Sequence, residues 1–167
     1  MKKCVLANVI LKLLLKSTIY AFDKDSEVKD ELNSLPKPFV LKINILPFGP
    51  SALLKIESNK VEIVKASDRI SLLVEFKNIK NAKKALLGKE SLSKSFARHN
   101  LLVKGDISNA MAIVRIINKI ECYLFPRFIT KKINLPKIKK QFCSLKLYLF
   151  LLFGKTKRSK EWTILNL

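Results

Sequence analysis

Cysteine and histidine are scarce in this sequence of 167 residues, and their spacing excludes several kinds of site. The three cysteines, Cys4, Cys122 and Cys143, are odd in number and far apart. This pattern argues against a disulfide framework and favours a reducing compartment such as the cytoplasm. His99 is the single histidine, and one histidine with scattered cysteines does not supply the ligands of a zinc site. We predict neither a metal nor any other cofactor.

Motifs of catalysis are missing as well. The sequence has no G-x-S-x-G, no H-E-x-x-H and no G-x-x-x-x-G-K-[ST]. Asp68 and Glu75 are carboxylates that nothing nearby in the sequence pairs, and Ser95 and His99 share a helix face without an activating acid. We therefore expect a protein that is not an enzyme.

Acidic residues and arginine are few compared with lysine. The chain has 33 Lys and Arg against 13 Asp and Glu, a formal net charge of +20, and only five of the basic residues are Arg. Such a charge favours anionic partners, either an acidic membrane surface or nucleic acid. Arginine is the better residue for contacts to phosphates and bases, so nucleic acid is the less favoured partner. A solvated surface without such a partner is the third interpretation.

Long apolar runs are also lacking, since none reaches the roughly 18 uninterrupted residues of a spanning helix. Near the amino terminus, Asn8, Lys12 and Lys16 recur every four residues, which predicts an amphipathic helix. Its predicted apolar side consists of Val5, Val9, Ile10, Leu13 and Leu14. A cleaved secretory signal is the alternative. The short apolar run 145–155 has the length to lie in a membrane interface or to cover an apolar opening.

Apolar residues make up 49% of the chain, enough for one core. We divide the sequence into an N-terminal helical segment (1–36), an α/β domain (37–128) and a basic tail (129–167) with ten Lys and Arg and one acid. Asp23 or Asp25 can cap a second short helix within the first segment. Alternating apolar residues between 39 and 76 predict three or four sequential antiparallel strands, a meander.

The second half of the α/β domain returns to helical periodicity. A helix broken at Gly88 precedes a strand from Leu101 to Lys104, and Gly105 provides a turn. Asp106 or Ser108 can cap the long helix that follows and that Pro126 ends. This helix is apolar around much of its circumference, more than a single packing contact covers.

Residues 88–114, GKESLSKSFARHNLLVKGDISNAMAIV, resemble the lipid-transfer domain of the sterol carrier protein 2 family. The positions that carry the resemblance are Gly88-Lys89, Phe96, Lys104-Gly105-Asp106 and Ala110-Met111. The order of elements extends the likeness over about residues 40–125. The chain departs from the family pattern at His99-Asn100, and it ends in Leu-Asn-Leu instead of Ser-Lys-Leu.

The resemblance implies an α+β fold in which a five-stranded, mostly antiparallel sheet packs against helices around an apolar tunnel. Domains of this family, standing alone, bind sterols, fatty acyl chains or phospholipids without catalysis. The candidate tunnel wall consists of Leu72, Val74, Phe76, Phe96, Leu102, Met111, Val114 and Ile117. Ordinary core packing is the alternative for each of these side chains, and the flexible thioether of Met111 suits a ligand pocket best.

Three functional hypotheses remain open on the sequence alone. The first is a cytoplasmic lipid-binding protein, peripheral at anionic membranes, with a hydrophobic small-molecule ligand. The second is a nucleic-acid- or ribosome-associated protein whose phosphate contacts are Lys131, Lys132, Lys137, Lys139 and Lys140. The third is an accessory subunit that docks on a partner through its long apolar helix.

Overall fold

A computed structural model describes residues 2–67, 69–132, 135 and 138–154 of the chain, with side chains from residue 5 onward. Asp68, the candidate carboxylate, and Lys137, a candidate phosphate contact, lie outside the described residues, as do residues 155–167 of the predicted tail.

A five-stranded sheet forms the centre of the fold. Its strands lie side by side in the order β3-β2-β1-β4-β5. Three of the four neighbouring pairs are antiparallel, and β1 pairs with β4 in parallel. The strands are β1 (Phe39–Ile45), β2 (Ser51–Glu57), β3 (Lys60–Val64), β4 (Leu72–Phe76) and β5 (Leu101–Gly105). The predicted α+β class with a mostly antiparallel sheet is confirmed.

The predicted meander is correct for β1, β2 and β3 and wrong for β4. That strand lies on the other side of β1, where Val74 is the parallel partner of Ile43. Parallel and antiparallel strands share a period of two, so alternation alone cannot give the direction of a strand. The parallel placement puts β4 next to the central strand β1 and β5 beyond it at the edge of the sheet, and the three strands share one continuous apolar face.

Seven helices are present in the described part of the chain. They are α1 (Lys2–Lys24), α2 (Ser26–Asn33), α3 (Ile79–Leu86), α4 (Leu92–Ala97), α5 (Ile107–Leu124), α6 (Arg127–Lys132) and α7 (Ser144–Phe153). Of the two alternatives predicted for each helix cap, Asp25 caps α2 and Asp106 caps α5. The side chain of Asp25 accepts from the N–H of Val28 at 3.1 Å, and that of Asp106 from Asn109 at 2.9 Å.

The side of helix α1 that packs on the core matches the predicted one only in part, since Leu14 is buried and Ile10 packs against the core. The expected apolar face included Val5 and Val9, but these are 62% and 48% exposed. The buried side consists of Ala7, Leu11, Leu14, Leu15 and Thr18. The helix is apolar around most of its surface, so periodicity does not select one face. The small side chain of Ala7 lies on the side that packs against the core.

By length and composition, Val5–Lys24 is also long and apolar enough to cross a membrane. This segment is not an uninterrupted apolar run in the sequence, because lysines interrupt it. In the fold, 44% of its most apolar stretch is buried, and the core helix of a soluble domain passes the same test.

A buried polar cluster joins α2 to the far end of α5. Asp25, 1% exposed, accepts from Lys119 Nζ at 2.8 Å and from the hydroxyl of Tyr123 at 2.6 Å. Lys119 also pairs with Glu27. Burial alone would raise the pKa of Asp25, but these hydrogen bonds outweigh it and hold the pKa below its usual value. The cluster fixes the carboxyl-terminal half of α5 against α2.

Removal of the Asp25 carboxylate tests this role. Asp25→Ala leaves Lys119 and the Tyr123 hydroxyl without their shared buried acceptor, so we expect a loss of about 3 kcal/mol in the free energy of unfolding. Glu31→Gln is a matched control, because Glu31 also joins α2 to α5 through Arg115, which is 60% exposed. It should cost less than about 1 kcal/mol. Urea unfolding measures both, and equal losses in the two variants would contradict the assignment.

Candidate ligand cavity

An apolar cavity of about 240 Å³ lies between the sheet and the helices. Strands β1, β4 and β5 form one side of it, and helices α4 and α5 form much of the other. Side chains of α5 and of these strands face each other across this space. The predicted tunnel itself stays a prediction, and the cavity lies at the interface of sheet and helices.

The strand side of the cavity follows from the period of two. Side chains at alternate positions of a strand share one face of the sheet. The inward face carries Ile43, Val74, Phe76, Leu101 and Val103. The opposite face carries polar groups such as Glu75, whose carboxylate accepts from Asn44 at 3.1 Å and lies 3.7 Å from Lys104 Nζ.

Helix α5 presents a stripe of residues to the cavity along most of its length. The stripe has the three- and four-residue spacing of one helix face. It consists of Ile107, Ala110, Met111, Ile113, Val114, Ile117 and Glu121. The sequence of α5 has more apolar surface than a single packing contact covers, and this additional surface forms a wall of the cavity.

Six of the eight predicted wall residues lie around the cavity: Val74, Phe76, Phe96, Met111, Val114 and Ile117. Their role in binding a ligand stays a prediction. The structure places the other two elsewhere. Leu72 is fully buried but belongs to the solid core, and Leu102 is 41% exposed on the opposite face of the sheet. Its neighbours Leu101 and Val103 line the cavity instead, because successive residues of a strand alternate between faces.

The cavity has a mouth between α4 and the first turns of α5. Three of its apolar lining residues reach solvent there: Phe96 is 52% exposed, Ile107 72% and Met111 51%. Glu90 precedes α4 and holds it in place, because its carboxylate accepts from Ser95 Oγ at 2.9 Å and from Arg98 at 2.8 Å. Ser95, which shares a helix face with His99, therefore donates its hydroxyl to Glu90.

Gly105, the last residue of β5, has a φ of 133°. A Cβ at this position would lie 2.7 Å from the carbonyl oxygen of Ser71. The predicted role of Gly105 as a turn glycine with unusual backbone angles is confirmed, and only glycine accommodates both constraints without strain. The turn directs the chain from the sheet into the helix that forms the cavity wall.

Glu121 lines the cavity and was not among the predicted site residues. It is 2% exposed, and its Oε2 atom has no hydrogen-bond partner among the described residues. Burial raises the pKa of Glu121 from 4.5 to about 8. A signal was present in the sequence: Glu121 follows Val114 and Ile117 by seven and four residues, the spacing of the inward stripe.

The chain is therefore an α+β domain with an apolar cavity that is open at one end. Within the described residues, no group of three or more His, Cys, Asp or Glu side chains could hold a metal ion. No family model matches the chain, and no curated protein matches it.

Several solved structures are similar to this one. A chain described as UbiJ-SCP2 ubiquinone synthesis protein is 19% identical, with a TM-score of 0.49 over 65% of this chain and 90% of its own. Sterol carrier protein 2 from Yarrowia lipolytica is 16% identical, with a TM-score of 0.44 over 65% and 89%. The sterol carrier protein domain 2 of Helicoverpa armigera is 15% identical, with a TM-score of 0.44 over 64% and 84%.

The raised pKa of Glu121 gives stability a pH dependence. The folded chain keeps this proton up to about pH 8 whereas the unfolded chain releases it near pH 4.5, so stability falls as pH rises between these values. We expect wild type to lose on the order of a few kcal/mol across this window. Glu121→Gln has no proton to release and should lose correspondingly less. Urea unfolding at several pH values measures this, and parallel profiles for the two proteins would refute it.

Proposed function

We propose that this protein binds the hydrocarbon chain of a lipid in the cavity and carries out no chemistry on it. The observation that supports the proposal is a cavity of about 240 Å³ whose described lining is apolar except for Ser93 and Glu121. Exposed apolar side chains at the mouth, such as Ile107, extend this surface outward. A hydrocarbon chain needs no precise set of polar contacts, which fits the lack of a catalytic motif.

The size of the cavity sets the length of chain that it can hold. A cavity of about 150 Å³ takes a benzene molecule, so 240 Å³ provides room for roughly ten carbons. Each buried methylene contributes about 0.8 kcal/mol, or roughly 8 kcal/mol in all before costs. Association and ordering consume several kcal/mol of this. The remainder is sufficient for reversible binding, as a carrier requires.

The proposal includes peripheral contact with anionic membranes from the cytoplasmic side. Helix α7 packs inward through Leu147, which is 1% exposed, and through Phe150, whose ring lies 4.8 Å from that of Tyr20. Its outer side leaves four large apolar residues exposed: Leu145, Leu149, Leu152 and Phe153. Lysines flank this helix, and each Lys near an anionic surface contributes about 1 kcal/mol.

Nucleic-acid contact and docking on a larger assembly stay predictions without a specific structural observation in their favour. Among the predicted phosphate contacts, Lys131, Lys132 and Lys139 are exposed. Lys140 donates to Ser144 at 2.8 Å and lies over the ring of Tyr123. Isolated exposed lysines are equally compatible with solvent or a membrane surface.

Binding in the cavity is tested by the methyl resonance of Met111, one of only two methionines in the chain. With isotope-labelled methionine methyl groups, n-octane supplied through the vapour phase should shift this resonance. Val114→Phe fills the cavity from α5 and should weaken binding at least about tenfold without loss of stability. Leu102→Phe, on the opposite face of the sheet, is the control and should bind as wild type does. An unmoved Met111 resonance would exclude the proposal.

Membrane contact is tested by sedimentation with vesicles of phosphatidylcholine alone or with added phosphatidylserine. We expect binding to the anionic vesicles that weakens as salt is raised. The double variant Leu149→Glu/Leu152→Glu should abolish it, because both exposed side chains enter the interface. Ile70→Glu, at a loop residue that is 41% exposed, is the control for added charge. Equal binding of both variants would remove α7 from the contact.

A further inference from the structure

Glu121 lies at the closed end of the cavity, away from its mouth. It is ten residues beyond Met111 on the same face of α5, which at 1.5 Å per residue separates the two positions by about 15 Å. It is 2% exposed and lines the same cavity as Leu14 of α1, Leu86 of α3 and Ile117 of its own helix. A ligand that fills the cavity from the mouth therefore reaches Glu121 with its leading end.

One oxygen of the Glu121 carboxyl group lacks a hydrogen-bond partner within the part of the chain that the structure describes. Its Oε2 atom is buried and has no hydrogen-bond partner among the described residues, whereas the other acids of the core, Asp25 and Glu90, are fully engaged. A buried polar atom without a partner is costly. A residue of this kind in the wall of an apolar cavity gains its missing hydrogen bond when a ligand supplies a polar atom.

The chemistry of the site selects the kind of polar atom. Burial keeps Glu121 largely protonated near neutral pH, so its carboxyl both donates and accepts a hydrogen bond. Among the described lining residues no cation is present to pair with an anion. A charged carboxylate or phosphate at this depth would stay unpaired, at high cost. A hydroxyl or carbonyl oxygen matches the protonated carboxyl without that cost.

We propose that the ligand is a lipid with a neutral hydroxyl or carbonyl end, and that this end enters first and is hydrogen-bonded by Glu121. This inference rests on the proposed function, since it requires a hydrocarbon chain in the cavity. Glu121 then sets both the orientation of the lipid and the preference for its end group. The rest of a longer chain extends along the stripe of α5 toward Phe96, Ile107 and Met111 at the mouth.

The experiment compares two ligands of equal carbon number, n-octanol and n-octane, in three proteins: wild type, Glu121→Leu and Glu121→Gln. Affinities come from the Met111 methyl resonance. Because the two ligands differ in hydration, the informative quantity is the ratio of their affinities, compared between proteins as in a double-mutant cycle. Glu121→Leu should shift this ratio toward octane at least about tenfold. Glu121→Gln keeps a donor and an acceptor and should hold the ratio within about threefold.

The outcomes separate this inference from the function on which it rests. If octane does not bind to wild type, the proposed function fails. If both ligands bind and Glu121→Leu leaves the ratio unchanged, or weakens both equally, the end-group role of Glu121 is overturned while the hydrocarbon site stands. Urea unfolding of all three proteins identifies any variant that has lost its fold. If Glu121→Leu is unfolded, the comparison of wild type with Glu121→Gln decides. A ratio of affinities that shifts in Glu121→Gln also overturns the role of Glu121.

Discussion

The structure depends on how α5 is held over the sheet. Its residue Ile116 is buried in the core, while Met111, Val114 and Ile117 line the cavity between α5 and the sheet. At about 24 cal/mol per Å³, an empty cavity of 240 Å³ gives up roughly 6 kcal/mol of packing. That is comparable to the net stability of a typical small domain. A cavity maintained at this cost is best explained by a ligand that fills it.

Polar contacts lie at both ends of the cavity. At the closed end, Asp25 holds Lys119 and Tyr123 of α5, and Phe142 stacks on the Tyr123 ring at 3.9 Å. At the mouth, Glu90 fixes α4, and Asp106 caps the first turn of α5. The contacts of Asp25 anchor the carboxyl-terminal half of α5 to the start of α2. The residues that line the cavity and those that form these polar contacts are therefore different sets.

Much of this architecture is readable from the sequence where a local signal is strong. The break at Gly88, the turn at Gly105 and the cap at Asp106 each follow from backbone chemistry within a few residues. The direction of β4 and the packed face of α1 are set by tertiary contacts, which periodicity does not contain. The prediction placed Leu102 in the cavity wall instead of its neighbours Leu101 and Val103. An error of one residue along a strand moves a side chain to the opposite face of the sheet. Glu121 was not predicted as a site residue, although its spacing matches the cavity stripe.

The central claim is that the space beneath α5 holds a hydrocarbon chain. Native mass spectrometry of the protein purified from cells without detergent, followed by solvent extraction and identification of any lipid, tests it most directly. We expect about one lipid for each chain in the wild type and markedly less in Val114→Phe. Wild-type protein that carries no lipid, and that takes none up when mixed with a total lipid extract from the same cells, would contradict the claim.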